Sequence, residues 1–302
     1  MQLKSLSSYI APVLKRPGLQ ARVDSVFAEA VTLVVEPRTY WSLVSERAGN
    51  GPLNAVVQSP ALLTLLRCGD QVTGDGRRLR LASGWRLSLS GVSQWNAYPS
   101  YQRLAQNPQV VRASLDRLRS EVSLKTPPAS LAAAASPHAR RAFANQPAMA
   151  QAQAQAQALG AGLRRSYRRG DLPGLQAFAR QLAGLGPGLT PAGDDWLAGW
   201  LVGLRVQTAL PSAEQQPALT FDAVAQAVVE AAADQTTGLS LAFLQAAAAG
   251  AVSQGWHSLL AALLSADPAA LAAAVAEVMR HGSTSGADML AGFLAAFQTE
   301  DA

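Results

Sequence analysis

The chain has 302 residues, of which 49% are hydrophobic and 15% charged, with a single cysteine and a formal net charge of +5. This composition supplies a core easily and argues against a disordered chain, a disulfide scaffold or a cysteine-based metal site. The mild positive excess suits a small anionic ligand and is too weak alone to argue for nucleic acid. Met1–Ile10 has no apolar core of secretory-signal length, and the run Trp196–Leu210 is short and carries Arg205. No stretch reaches the ~20 apolar residues of a membrane span, so the expectation is a cytoplasmic protein with no membrane partner.

Residues 1–20, with Pro12 and Pro17, read as a lead-in. Arg22–Val35 alternates and then runs apolar, as a strand does, and Glu36-Pro37 ends it. Tyr40–Ser45 and Leu53–Gln58 are further strands around the turn Gly49-Asn50-Gly51-Pro52. Pro60–Arg67 reads as one or two helical turns, Gly74-Asp75-Gly76 as a turn, and Leu79–Ala82 with Trp85–Ser90 as a hairpin through Ser83-Gly84. Cys68 is expected to be a small buried hydrophobe. Trp95-Asn96-Ala97-Tyr98-Pro99 closes the β part, Arg103–Leu124 is helix-prone, and Thr126-Pro127-Pro128-Ala129-Ser130 reads as a linker.

From Ala139 onward the composition is helical. Ala150–Ala158 (AQAQAQAQA) alternates as a strand would, but Ala and Gln are good helix formers, so it is read as helix exposed on one side. Arg164, Arg165, Arg168 and Arg169 then give a basic stripe, read mainly as a solvated face and secondarily as a surface for an anionic ligand or a partner subunit. Helices are expected over Pro173–Leu182, Asp195–Leu210, Phe221–Ala233, a segment starting at Thr236-Thr237 and running to Ala249, Ser258–Leu264, Pro268–His281 and Asp288–Phe297. Asp267 before Pro268 is a helix N-cap. The fold class is therefore α+β. A small β-barrel- or sandwich-like domain over 1–125 precedes an all-α domain over 126–302.

The chemistry concentrates at a motif that occurs twice. Gly193-Asp194-Asp195-Trp196-Leu197-Ala198-Gly199-Trp200-Leu201 matches Gly286-Ala287-Asp288-Met289-Leu290-Ala291-Gly292-Phe293-Leu294, and each copy follows a hydroxyl-bearing turn. The first copy is also entered through Gly184-Leu185-Gly186-Pro187-Gly188, a loop stiffer and costlier than a cap requires. The plain structural reading is a capping box, with Ser285 capping and Asp288 reaching back, and Asp195 in the same slot of the first copy. Against it, Asp194 is a second adjacent carboxylate, and His281-Gly282-Ser283-Thr284-Ser285 sets an imidazole and hydroxyls before the second start.

If the two starts meet, backbone N–H groups would hold an anion, while Asp194, Asp195 and Asp288 would accept hydrogen bonds from an amide or amine. Asp194, Asp195, Asp288 and His281 are thus the catalytic candidates. Gly186, Gly188, Thr190, Gly193, Thr236, Thr237, Ser283, Ser285 and Gly286 are the substrate-binding candidates, with Ser240 lining the same space. No metal ligand set is assigned. The carboxylates could alternatively suit a hard cation such as Mg²⁺. Walker, Rossmann, nucleophile-elbow and zinc signatures are absent from the sequence.

GLGPGLTPAGDDWLAG, then TTGLS, then HGSTSGADMLAGFL, resemble in order the motifs of a bacterial family of domains of unknown function (family 2877, AllH-like). That family includes a subunit of the anaerobic oxamate carbamoyltransferase of allantoin catabolism. The resemblance covers 184–294, with QWNAYP a looser match in the first third. It implies carbamoyl transfer between carbamoyl phosphate and an amide acceptor such as oxamate, carried out with partner subunits. Its pattern falls on Gly186, Gly188, Thr190, Gly193, Asp194, Asp195, His281, Ser283, Ser285, Gly286 and Asp288. Ala192 departs from a usual Ser, and the extra Gly282 displaces His281. The second class of function is a non-catalytic assembly subunit, or one binding a nucleotide or CoA.

Overall fold

A computed structural model describes residues 2–131, 147–211 and 218–298. The strands come first: β1 (Leu3–Ser7), β2 (Pro17–Val26), β3 (Ala30–Val35), β4 (Thr39–Val44), β5 (Asn54–Val57), β6 (Gln71–Asp75), β7 (Arg78–Leu81), β8 (Arg86–Ser88) and β9 (Ser93–Trp95). They form one sheet in the order β8-β7-β6-β2-β3-β4-β5-β1-β9. A parallel bridge from Gln2 to Ser88 returns the β8 edge to the chain entering β1, so the sheet curls into a half-barrel. Strand register sets Val23, Leu33 and Trp41 in one row and Val31, Leu43 and Ala55 in the next, all shielded from solvent. These alternate positions pack the concave core.

Three details differ from the sequence reading. Arg22–Val35 is a hairpin of β2 and β3, with Val26 paired to Val31, and not one strand. Its turn, Phe27-Ala28-Glu29, contains no Gly, Pro or Asn to announce it. The lead-in 1–20 contains β1, a short helix α1 (Ala11–Leu14) and the start of β2. Cys68 is exposed, its thiol donating to the Asp24 carbonyl at 3.0 Å.

The chain divides into two compact units: Met1–Pro99 with Ala251–Gln254, and Ser100–Gly250 with Gly255–Ala302. Val252 N–H donates to the Ala97 carbonyl and Gln254 N–H to that of Asn50, which ties the short return segment to the sheet unit. The helix-prone Arg103–Leu124 lies in the second unit, as a 3₁₀ turn (Tyr101–Gln106) and α2 (Pro108–Lys125).

The second unit continues with α3 (Pro147–Arg169), α4 (Leu172–Leu182), α5 (Ala192–Ala209), α6 (Phe221–Ala232), α7 (Gly238–Ala248), α8 (Gln254–Ser265), α9 (Pro268–Met279) and α10 (Ser285–Ala295). The helical reading from Ala139 onward falls partly on 132–146, outside the described residues. The Ala-Gln tract lies in α3, as expected of good helix formers. Asp171, Thr220, Thr237 and Asp267 cap α4, α6, α7 and α9 through their side chains, each satisfying an N–H that the helix leaves open.

Helix α5 is the centre of this unit: Gly193 to Leu204 is buried without interruption. Trp196 stacks with Trp200 at 6.4 Å between centroids, and Tyr167 meets Trp200 edge-on at 5.8 Å. Phe293 of α10 packs against Trp256 and Phe297 at 5.3 and 5.4 Å. Among the described residues no helix is long and apolar enough to cross a membrane.

Candidate functional site

The duplicated motif folds as a duplicated structure. In each copy a helix with an Asp N-cap and an early proline (α4, α9) turns through a loop into a glycine-bearing helix (α5, α10). Gly193 lies against the Leu182 carbonyl that ends α4, and Gly286 against the Val278 carbonyl near the end of α9. Across the α5–α10 contact, Gly199 rests on the Met289 carbonyl and Gly292 on the Trp196 carbonyl. Each contact is the other with the copies exchanged, which is the pattern of a local two-fold. A side chain at any of these four glycines would overlap backbone, so their absence lets the helix backbones touch.

This packing sets the two helix starts side by side. Thr190 Oγ1 lies 3.1 Å from Ser285 Oγ, and the Ser285 side chain hydrogen-bonds to Asp195. Asp195 in turn feels the charges of Asp288 and Asp194. A third helix start joins them. Thr236 and Ser240, flanking the beginning of α7, both donate hydroxyls to Asp194 Oδ2, Ser240 at 2.8 Å. Thr237 donates to the Leu189 carbonyl at 2.6 Å and so ties α7 to the glycine loop.

The carboxylates have different surroundings. Asp194 is 1% exposed, and its Oδ1 accepts from Gly184 N–H at 3.0 Å. Burial raises its pKa, and the bonds from Thr236, Gly184 and Ser240 oppose the rise. Asp288 is fully buried; its Oδ1 accepts from Ser130 Oγ and Leu131 N–H, both at 2.6 Å. Asp195 is 8% exposed. Desolvation and the neighbouring acids push its pKa well above the ordinary value, against the Ser285 bond. Its Oδ2 is buried with no hydrogen-bond partner among the described residues. Such an atom costs stability unless something else satisfies it.

The capping-box expectation is therefore corrected. The N-caps are Pro191 and Thr284, neither making a side-chain cap bond, and the carboxylates are spent on neighbouring segments instead. Tertiary partners outcompete the local N–H groups because they supply more donors to a buried charge.

The glycine loop is built as its composition implies. Gly184, Gly186 and Gly188 have φ of 73°, 109° and 101°, a region closed to most side chains, and 186–189 is exposed. Gly186, Gly188, Thr190 and Gly193 thus lie along the loop and its helix, with Thr236, Thr237, Ser285 and Gly286 on the two neighbouring starts. His281 and Ser283 are exposed on the turn before α10, and His281 is tied into that turn by its backbone. Among the described residues no group of three or more His, Cys, Asp or Glu is arranged to hold a metal ion.

The sequence reading missed Ser130, which it assigned to a linker, and Leu131, which follows it. It also missed Gln153 in the Ala-Gln tract. Buried Gln153 donates from Nε2 to the Pro128 and Ser130 carbonyls, both at 3.1 Å, and so fixes the segment that reaches Asp288. A proline pair followed by a hydroxyl carries no signal that it will turn inward.

No solved structure matches this chain. Residues 182–297 match the family model described as oxamate carbamoyltransferase subunit AllH, and residues 3–94 match the AllH family N-terminal domain. The first match spans both glycine-bearing helices and the loop between α4 and α5; the second spans the curled sheet. On these two matches the chain belongs to the AllH family and is a carbamoyltransferase-associated subunit.

Proposed function

We propose that this chain works with other subunits in a carbamoyltransferase and holds a small carbamoyl, amide or phosphate compound where the starts of α5, α7 and α10 converge. The observation that carries this reading is Asp195 Oδ2, a buried carboxylate oxygen left without a partner where three helix starts meet. Three helix starts bring positive dipole ends to one place, which suits a phosphate or carboxylate. The carboxylate beside them suits an N–H donor. A compound with both groups would fill both needs.

In carbamoyl transfer the acceptor amide nitrogen attacks the carbamoyl carbon, a C–N bond forms, and the C–O bond to phosphate breaks. The nitrogen gives up a proton and phosphate leaves with the bonding pair. Loop and helix N–H groups would stabilise the oxygen on which charge develops. Asp195 would accept the amide N–H and then take the proton, a task that a raised pKa favours. Asp194 would act by holding Gly184 and the α7 start in place, and Asp288 by anchoring the second helix start beside the first.

The test is the complex assembled with its partner subunits and assayed for carbamoyl transfer to oxamate. Asp195→Asn should assemble normally and lose activity by 10²-fold or more, the usual order for removing a proton acceptor. Full activity in that variant would refute the assignment.

A further inference from the structure

The net charge of +5 is not spread along the chain. Residues 1–99 hold 11 Lys and Arg against 6 Asp and Glu, so the whole excess lies in the sheet unit and the rest of the chain is balanced. Within that unit it gathers on β6–β8. Between Gln71 and Ser88 there are four arginines, Arg77, Arg78, Arg80 and Arg86, and one carboxylate, Asp75. Asp75 Oδ1 is engaged by the backbone N–H groups of Arg77 and Arg78, at 2.8 and 2.7 Å.

Strand register places these charges. Val72, Leu79, Leu81 and Leu87 are buried in the core, so the alternate positions Thr73, Arg78, Arg80 and Arg86 share the outer face, and all four are exposed. Arg80 is paired directly opposite Arg86, and Arg78 lies two residues along the same strand. Like charges set opposite one another on neighbouring strands destabilise a sheet. Among the described residues the side chains of Arg77, Arg78 and Arg80 make no hydrogen bond or ion pair. Protection of a sheet edge accounts for a charge on β8, the outer strand, but not for two on β7, which is paired on both sides. At the end of the same hairpin Trp85 is 47% exposed.

We propose that the outer face of β6–β8 is a docking surface for an acidic segment of a partner subunit. Carboxylates of that segment would pair with Arg78, Arg80 and Arg86, whose planar guanidinium groups take a carboxylate through two parallel bonds. They would also cancel the repulsion that the ladder builds in. Trp85 would add apolar contact, and Trp and Arg are the residue types that most often carry interface energy. The three arginines span two residues along a strand and one strand spacing, about 7 by 5 Å. That footprint suits a few carboxylates of one folded partner and is short for the track of a nucleic-acid backbone. The family match describes a subunit, which must present a docking face. The proposal does not depend on the ligand proposed for the helix starts.

The test is the affinity of the full chain for its purified partner subunits, measured by calorimetric titration at about 50 and about 500 mM salt, where the screening length differs about threefold. Wild type should lose affinity about tenfold or more between the two. Arg78→Glu combined with Arg80→Glu should weaken binding at least tenfold at low salt and remove most of the salt dependence. Its Tm should not fall, since a carboxylate opposite Arg86 relieves the repulsion. If the reversal disturbs the sheet, Arg78→Gln with Arg80→Gln should move both readings the same way by less. Arg165→Glu with Arg169→Glu, on the exposed stripe of α3, should leave them unchanged. Affinity that ignores salt, or that responds to the α3 pair and not to the β7 pair, would overturn the proposal. So would a short single-stranded oligonucleotide whose binding the β7 pair abolishes while subunit affinity stays the same. None of these outcomes bears on Asp195, which the transfer assay of Asp195→Asn tests separately.

Discussion

Gly→Ala substitutions along the α5–α10 contact test the structure most directly, because elsewhere in a helix the same change is stabilising by about 1 kcal/mol. At Gly203 an added Cβ would lie 2.5 Å from the Phe293 carbonyl oxygen and 2.7 Å from Ala296 Cβ. Ordinary contact begins at 3.4 Å, so the backbones must part by about 0.9 Å there. Overpacking of this kind costs about 1–3 kcal/mol, which cancels the propensity gain and leaves a net loss of about 1 kcal/mol. At Gly199 and Gly292 the new atom would overlap the facing carbonyl outright, so the net loss should exceed about 3 kcal/mol. For a unit of about 200 residues, each kcal/mol moves Tm by roughly 2–4 °C. Gly203→Ala should therefore lower Tm by a few degrees, and Gly292→Ala by about 10 °C, in a calorimetric or fluorescence melt. Gly199→Ala and Gly292→Ala should match, since the two-fold makes them equivalent. A rise in Tm at either position, or a large difference between the two, would refute the close two-fold packing.

Asp195→Asn should stabilise the chain in a pH-dependent way. The folded state binds the Asp195 proton more tightly than the unfolded chain, so its ionisation penalises folding. That penalty is absent below the ordinary carboxylate pKa and complete above the raised one. The variant's Tm advantage should be greatest near pH 8 and fade toward pH 4; an advantage that grows on acidification would contradict the sign. Thr236→Val removes a hydroxyl from buried Asp194 and should cost about 1–3 kcal/mol at neutral pH, measured by urea titration. Ser130→Ala should cost a similar amount through Asp288, and Gln153→Ala about 1 kcal/mol through two lost carbonyl partners. If both leave stability unchanged, the inward turn of 127–131 is not fixed as described.

Much was legible from the sequence because much is local. Strand alternation, Asp267 before Pro268, the good helix formers of α3 and the glycine loop each follow from short-range chemistry. So does the duplication, since G-x-D-φ-L-A-G-φ-L (φ a large apolar residue) is written twice in the chain. The family resemblance rested on the same residues, and the family matches agree with it.

What the sequence could not determine was how the two copies face each other. Small residues at Gly199 and Gly292 permit contact with any neighbour; that they touch one another, starts together, depends on the whole helical unit. The fate of the carboxylates followed from this. A capping box and a tertiary carboxylate cluster have the same local sequence, and burial beside Thr236, Ser240, Ser130 and Ser285 decided between them. Those partners lie between 42 and 158 residues away, and the one on Asp195, Ser285, is supplied by the other copy. The β2–β3 turn and the inward course of 127–131 were hidden for the same reason: strand pairing and a hydrogen bond from Gln153 fixed them, and neither is a property of the segment alone.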